Sequence, residues 1–334
     1  MEQPLVSFII PVYNGEKWLA DCLQSVVDQS VPDLEIIVID DASTDGTPQI
    51  VRSFADRDPR IKILVNERNS GHAAARNRGL DMSTGRWIAT PDCDDTIEPD
   101  FCKILLAEAE RSGADIIKGR SRILETDGSA HETPRQWHED IMSKSPLCFN
   151  DDWWSAIYRA DKIRGKVRLH DEAPIAVDLL FLSEAISLPL KVACVDDIVY
   201  TQVVRANSVG AYRNRPLKKI EACIDATASI LQTLNERKVY ATDPYGYRVW
   251  AREALRRLGG FHRARKEERE TALAICAARA PQVASLIRCE YPGIKKFLMP
   301  LVLKILSDDR LMPARLLLFR SYDIMKRIRP LKGH

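Results

Sequence analysis

RWIATPDCDD, residues 86–95, joins two unlike pieces of chain. The first, RWIAT, is a short apolar run of the kind that forms a strand covered on both faces. The second sets Asp92, Asp94 and Asp95 almost side by side. Carboxylates that close repel one another, so the cluster calls for a cation, or for a ligand that carries one. In an open parallel sheet ligands bind beyond the carboxyl ends of the strands. Whether this strand belongs to such a sheet therefore decides both the fold and the meaning of the acids.

Working outward, LVSFIIP (5–11), LEIIVID (34–40), IKILVN (61–66) and ADIIKG (114–119) read as further buried strands. Helical patterns separate them. EKWLADCLQSVVDQ (16–29) places Trp18, Leu19, Cys22, Leu23, Val26 and Val27 on one stripe. Turn and cap residues 43–49 open a short helix through Phe54; HAAARNRGLDMS (72–83) is a third helix and PDFCKILLAEAERSG (99–113) a fourth, ending at Gly113 as C′ residue. This alternation predicts an α/β fold with a Rossmann-like, doubly wound and mostly parallel sheet. Beyond it, residues 120–150 read as loops with one or two extra strands, 151–165 and 173–188 as helices, and VACVDDIVYTQV (192–203) as a strand. From about residue 214 strand signals fade and the segments 216–236, 247–265, 268–288 and 294–328 are helix-like.

The chain has 334 residues, 45% hydrophobic and 29% charged, enough for a domain with a real core and an appendage. The eight cysteines show no CxxC pairing or regular spacing, which argues against a disulfide framework or a zinc site and for a reducing compartment. The first residues, MEQPLVSFIIPVYNGE, carry no signal-peptide pattern, and no run approaches the roughly 18 apolar residues of a spanning helix. A cytoplasmic protein is expected. The net charge of +2 conceals an asymmetry, −12 over residues 1–210 and +14 over 211–334. The acidic part suits a cation, the basic part an anionic surface.

Polar groups gather at three predicted strand ends: Pro11-Val12-Tyr13-Asn14, Asp40-Asp41-Ala42-Ser43-Thr44-Asp45-Gly46, and Asp92-Cys93-Asp94-Asp95. The stretches VSFIIPVYNGEKWLADCLQSVVDQS, EIIVIDDASTDGT and NSGHAAARNRGLDMSTGRWIATPDCDD resemble, in order and spacing, the family 2 nucleotide-sugar glycosyltransferases, which have the GT-A fold. The likeness is dense over residues 5–120 and loose over 150–210. It implies a GT-A domain over 1–213, with a nucleotide-sugar-binding half (1–120) and an acceptor-side half (121–213), followed by a basic helical region over 214–334. It also implies an inverting, metal-dependent enzyme that moves a sugar from a UDP-sugar to a hydroxyl of a glycan, in exopolysaccharide or surface-polysaccharide synthesis of the succinoglycan type.

The chemistry agrees. A nucleoside diphosphate leaves as an anion, and Mg²⁺ or Mn²⁺ neutralises its developing charge; such hard cations take oxygen ligands, so Cys93 reads as a spacer. Alternation along an extended segment would turn Asp92 and Asp94 the same way. The resemblance implies that Asp94 holds the metal and Asp92 the ribose or sugar, with Asp95 orienting them or capping a helix. It assigns Asp41 to the imide N–H of uracil or thymine, for which an acceptor-only carboxylate is suited; the alternative is a turn former. Tyr13 reads equally as a base-stacking residue or loop packing, with Pro11 shaping the backbone. Arg76 reads as a diphosphate contact or as an ion-pair partner of the acidic cluster.

Inversion needs one general base beside the acceptor. Ala176-Val177-Asp178-Leu179-Leu180-Phe181 resembles the family segment that carries it, with Val177 where a Glu is usual. Asp178 is the expected base, with Asp171 and Glu172 in reserve. Trp153 and Trp154 are acceptor contacts by stacking on a sugar, or core residues. Arg205 and Ser208 resemble a segment closing over the donor. The basic, apolar C-terminal stretch from Lys295 to Pro330 either lies on an anionic membrane surface, which would suit a lipid-linked acceptor, or packs as a helical subdomain. Nucleic acid is not expected. Other classes compete less well. A sugar-phosphate nucleotidyltransferase wants a glycine-rich basic loop after strand one, where PVYNGEKW has a single glycine, and a nicotinamide dehydrogenase wants GxGxxG there. A non-catalytic sugar-nucleotide-binding protein remains open through Val177.

Overall fold

A computed structural model describes residues 3–133, 153–169, 177–205, 217–244 and 266–288, with isolated residues between 246 and 254. The reserve acids Asp171 and Glu172, Ser208, and the whole stretch from Lys295 to Pro330 lie outside the described residues.

The first half alternates as its periodicity demands. β1 (Val6–Val12), β2 (Leu34–Asp40), β3 (Ile61–Val65) and β4 (Trp87–Ala89) are separated by α1 (Leu19–Val27), α2 (Thr47–Ala55) and α3 (His72–Met82). β1 and β2 are buried along their whole length, the mark of strands covered on both faces. On α1 the buried residues Leu19, Cys22, Leu23 and Val26 repeat at helical spacing against this sheet. Ring and aliphatic side chains of β1, Phe8, Ile10 and Val12, join Leu105 and Phe101 of the next helix, α4 (Phe101–Ser112), in one core. α4 stops at Gly113, whose φ of 62° is left-handed and cheap only without a Cβ. α3 lies close on the sheet because residue 79 is glycine: a Cβ there would meet Ile9 Cγ2 at 2.4 Å.

The sheet runs β3-β2-β1-β4-β8-β6-β9-β5, with β7 (Ala130–Glu132) added to β6. β5 is Thr96–Ile97, β6 Ile116–Leu124, β8 Ala156–Arg159 and β9 Val192–Val203. Pairings among β1 to β4 are parallel. Beyond β4 the sheet becomes mixed, with β8 antiparallel to both β4 and β6, and β5 antiparallel to β9. The fold is thus mixed α/β, with its parallel half where the strand–helix alternation is strictest. The helix expected over 151–165 is corrected: Ala156–Arg159 is a fully inserted strand, followed by a one-turn helix α5 (Ala160–Ile163). Three buried residues, Ala156, Ile157 and Tyr158, between Ser155 and the exposed Arg159 fit either element, and here insertion between β4 and β6 decides. The later helix is α6 (Val177–Ile186).

The chain divides into two compact units, residues 1–172 with 177–206, and residues 173–176 with 207–334. In the second, α7 (Leu217–Glu236) packs against α8 (Arg269–Leu286). The small residues Ala272, Ala277, Ala280 and Ala284 are buried on α8, and Arg279 pairs with Asp225 at 3.1 Å. No helix among the described residues is long and apolar enough to cross a membrane.

Candidate active site

The parallel strands β1, β2 and β4 end at one edge, and their terminal loops are tied together. Asp41 N–H donates to Val12 O at 2.8 Å, Asn14 N–H to Ser43 Oγ at 3.0 Å, and Thr44 N–H to Asn14 Oδ1 at 2.8 Å. Two non-glycine residues here, Asn14 (φ 52°) and Ala42 (φ 63°), adopt left-handed backbone, a conformation tolerated where surrounding contacts enforce it. The β4 ladder on β1 ends at Phe8–Ala89, before Pro11 is reached, so the missing N–H costs no rung there. Pro11 itself is buried within β1 and shapes the backbone. Tyr13, next along, is 48% exposed at the rim.

Asp92 to Asp95 are not extended, which corrects the alternation argument. They form a turn closed by Asp95 N–H to Asp92 O at 3.2 Å. The turn gathers the side chains instead: one carboxylate oxygen from each of Asp92, Asp94 and Asp95 lies within 4.8 Å of the others. Burial first, then the charges of Asp92 and Asp94, push the Asp95 carboxyl up to about 8. Burial and the Asp92 charge likewise raise Asp94 against the opposing pull of Arg205. Like charges held this close disfavour one another's ionised form.

Each acid has its own partner. Arg76, 3% exposed, donates to Asp92 Oδ1 and, through Nε, to Thr90 Oγ1 at 2.9 Å. Its guanidinium carbon sits 4.7 Å from the centre of the Trp153 ring. Arg76 is therefore the buried ion-pair partner of the cluster, which corrects its reading as an open cation for the diphosphate. Arg205 donates to Asp94 Oδ2 at 2.6 Å and lies 4.7 Å over the Trp18 ring. Asp95 is 3% exposed and has both oxygens engaged, Oδ2 by the Tyr200 hydroxyl and Oδ1 by Val203 N–H, each at 2.8 Å. Asp92 Oδ2 and Asp94 Oδ1 accept from no other residue among those described. The donor set is all carboxylate oxygen, which fits Mg²⁺ or Mn²⁺. Burial holds the intervening Cys93 thiol up at about 12, neutral and no ligand for such an ion.

Trp153 is corrected as an acceptor contact. At 3% exposure it is enclosed by Phe181 (ring centres 5.1 Å apart) and Arg76, with no free face for a sugar. Trp154 is partly buried against the core and packs 6.3 Å from the Tyr200 ring. Asp178 is the second residue of α6, on a helix anchored by the buried Leu180 and Phe181.

Asp41 is 2% exposed, and its carboxylate accepts from Asn66 Nδ2 (2.6 Å), Ser70 N–H (3.0 Å), Ser70 Oγ (2.7 Å) and Gly71 N–H (2.8 Å). A nucleobase N–H reaching it must displace or share one of these. Burial alone would raise this carboxyl, but the donors outweigh it and hold it below the usual carboxylate range. A depressed folded-state value means stability that is present above the unfolded value, about 3.9, and lost as pH falls through the folded one. Asp41→Asn is thus expected to cost about 2 kcal/mol at pH 7. Urea titrations should show that gap persisting down to about pH 4 and narrowing only below it. A gap already absent at pH 7 would mean the carboxylate does not hold the 66–71 segment.

Tyr200 and Trp18 join this edge only through partners far along the chain, so no local pattern marks them as site residues; Tyr200 stands 105 residues from its partner Asp95, and Trp18 lies under Arg205.

An acidic turn at the carboxyl ends of the parallel strands of an α/β sheet stands where such sheets bind their ligands. Residues 7–171 match Glycosyl transferase family 2, so the chain carries a domain of that family over just under half its length, and it is a glycosyltransferase. It is 28% identical over 253 residues to the putative glycosyltransferase EpsH of Bacillus subtilis, covering 72% of this chain and 73% of that one. It is 27% identical over 278 residues to the succinoglycan biosynthesis protein ExoO of Rhizobium meliloti, covering 78% and 75%. Among solved structures, S. aureus TarS in complex with UDP-GlcNAc superposes with a TM-score of 0.69 at 22% identity, over 96% of this chain and 92% of that one. The mannosyltransferase PcManGT of Pyrobaculum calidifontis, in complex with GDP-Man and Mn²⁺, gives 0.55 at 17% identity, over 98% and 89%.

Proposed function

We propose that this glycosyltransferase carries out an inverting, metal-dependent transfer from a UDP-sugar to a hydroxyl of a glycan acceptor in surface-polysaccharide synthesis. The observation that carries the reading is the carboxylate turn at the carboxyl end of β4, with oxygens of three acids within 4.8 Å. Asp94 and Asp92 would hold Mg²⁺ or Mn²⁺, which when bound offsets negative charge on a diphosphate. In this reading Asp92 also faces the ribose or sugar, Asp41 takes the uracil imide N–H, and Tyr13, open at the rim, stacks on the base. The acceptor oxygen attacks the anomeric carbon while its proton passes to the Asp178 carboxylate. The bond from that carbon to the phosphate oxygen breaks, and its electron pair leaves with the diphosphate. The relatives support the setting, since ExoO is named for succinoglycan biosynthesis and TarS was solved with UDP-GlcNAc. A lipid-linked acceptor, and with it a peripheral contact on an anionic membrane, rests on the basic apolar stretch from Lys295 to Pro330 in the sequence.

The test is incubation with Mn²⁺ and a panel of UDP-, GDP-, ADP- and dTDP-sugars, reading free nucleoside diphosphate with and without a chelator. UDP release that the chelator abolishes is the expected result. Release only from GDP- or ADP-sugars would refute the donor class, and release indifferent to chelator would refute the metal.

A further inference from the structure

The buried hydroxyl of Tyr200 joins the two ends of the acidic turn. It accepts from Asp92 N–H at 3.1 Å and donates to Asp95 Oδ2 at 2.8 Å. Tyr200 is 0% exposed on β9, and the same strand supplies Val203 N–H to the other oxygen of Asp95. The first residue of the turn is thus held through its backbone and the last through its side chain, by one oxygen atom of a strand outside the turn. Such a tie fixes the turn while the neighbouring Asp92 and Asp94 carboxylates are held within reach of one another.

We propose that Tyr200 is a positioning residue for the divalent cation. Its hydroxyl sets the Asp92–Asp95 turn so that Asp92 and Asp94 present their oxygens to one ion, and Asp95 serves this tie rather than the ion. The inference rests on the metal-dependent reading above. Partners of this kind, one step removed from the ligands, typically carry ten- to hundredfold in metal affinity. Removing the hydroxyl leaves Asp92 N–H and Asp95 Oδ2 buried without each other's link.

The experiment compares Tyr200→Phe with Tyr247→Phe in the full chain. Tyr247, in the other compact unit, is also 0% exposed, and its hydroxyl likewise accepts a backbone N–H, from Arg288 at 3.1 Å, and donates, to Asn235 Oδ1 at 2.7 Å, so its loss is a matched structural deletion. Mn²⁺ binding in the presence of UDP is followed by electron paramagnetic resonance of free Mn²⁺, alongside thermal midpoints and turnover against Mn²⁺ concentration. Tyr200→Phe is expected to weaken Mn²⁺ about ten- to hundredfold, with kcat largely recovered at saturating Mn²⁺. Tyr247→Phe is expected to lower the thermal midpoint comparably while binding Mn²⁺ as the wild type does. Unchanged Mn²⁺ affinity in Tyr200→Phe, or an equal loss in both variants, overturns the proposal while leaving the metal-dependent reading intact. A wild-type protein that binds no Mn²⁺ with UDP overturns both.

Discussion

Asp94→Ala is expected to lower UDP release about a thousandfold at saturating Mn²⁺, a loss of ~4 kcal/mol of transition-state stabilisation. Two features of the site set that size. Asp94 is one of the two acids whose carboxylate keeps an oxygen without a partner from another described residue, and a hard cation held by two carboxylates loses half its protein charge when one is removed. Its effect on folding should be small by comparison. The variant strips Arg205 of its 2.6 Å partner, but it also removes a charge that raises the Asp95 carboxyl. Arg205 also keeps the backbone carbonyls of Asp94 and Val203 as acceptors, so a thermal midpoint near that of the wild type is expected, and its measurement separates lost turnover from unfolding. Calorimetry of UDP with and without Mn²⁺ completes the test: metal-independent UDP binding should survive and the metal-dependent increment should vanish. Turnover within tenfold of the wild type would remove Asp94 from the metal site.

The parallel half of the sheet was legible because its signals are local. LEIIVID coincides with β2 and IKILVN with β3 to within one residue, both short stretches rich in Ile, Leu and Val between polar boundaries. Gly113 marked the end of α4 through its left-handed φ. The misreading of 151–165 has the opposite cause. Ala156–Arg159 carries little periodicity of its own and becomes a strand because β4 and β6 leave a slot between them. Its sequence holds no record of those neighbours, and tertiary context overrides a weak local preference.

At the site, the sequence placed the acids at the sheet edge but not their geometry. Asp92, Asp94 and Asp95 converge through a turn rather than through strand alternation, and the turn is fixed by Tyr200 from β9. Arg76 and Trp153 were each given two readings, and in both cases the core-side one describes the packing: Arg76 pairs with Asp92 and Trp153 packs under it. Residue types announce which groups can bind a cation or a sugar. Which of them are consumed in holding the others is decided by long-range partners, and that information enters only with the fold.

The packing of Trp153 bears directly on the proposed base. Phe181 of α6 lies 5.1 Å from the Trp153 ring and 5.5 Å from that of Tyr158. Trp153 in turn carries the Arg76 guanidinium at 4.7 Å, and Arg76 holds Asp92. A continuous set of buried contacts therefore couples the first turn of α6, where Asp178 sits, to the acidic turn at the end of β4. A base must be fixed relative to the anomeric carbon, and a misplacement of about 1 Å can cost a hundredfold. Asp178→Asn is accordingly expected to lower sugar transfer by about 10²–10⁴-fold while Mn²⁺-dependent UDP binding stays as it was. The amide is isosteric and a carboxylate at a helix start contributes at most about 1 kcal/mol through the dipole, so the fold should persist. Asparagine is also well tolerated at helix N-termini, which makes the substitution discriminating: if Asp178 merely starts α6, transfer stays within a few-fold of the wild type and the base must be sought elsewhere. If donor affinity falls in step with transfer, the contact chain through Trp153 and Arg76 has carried a disturbance to Asp92, and the residue acts on the donor side instead.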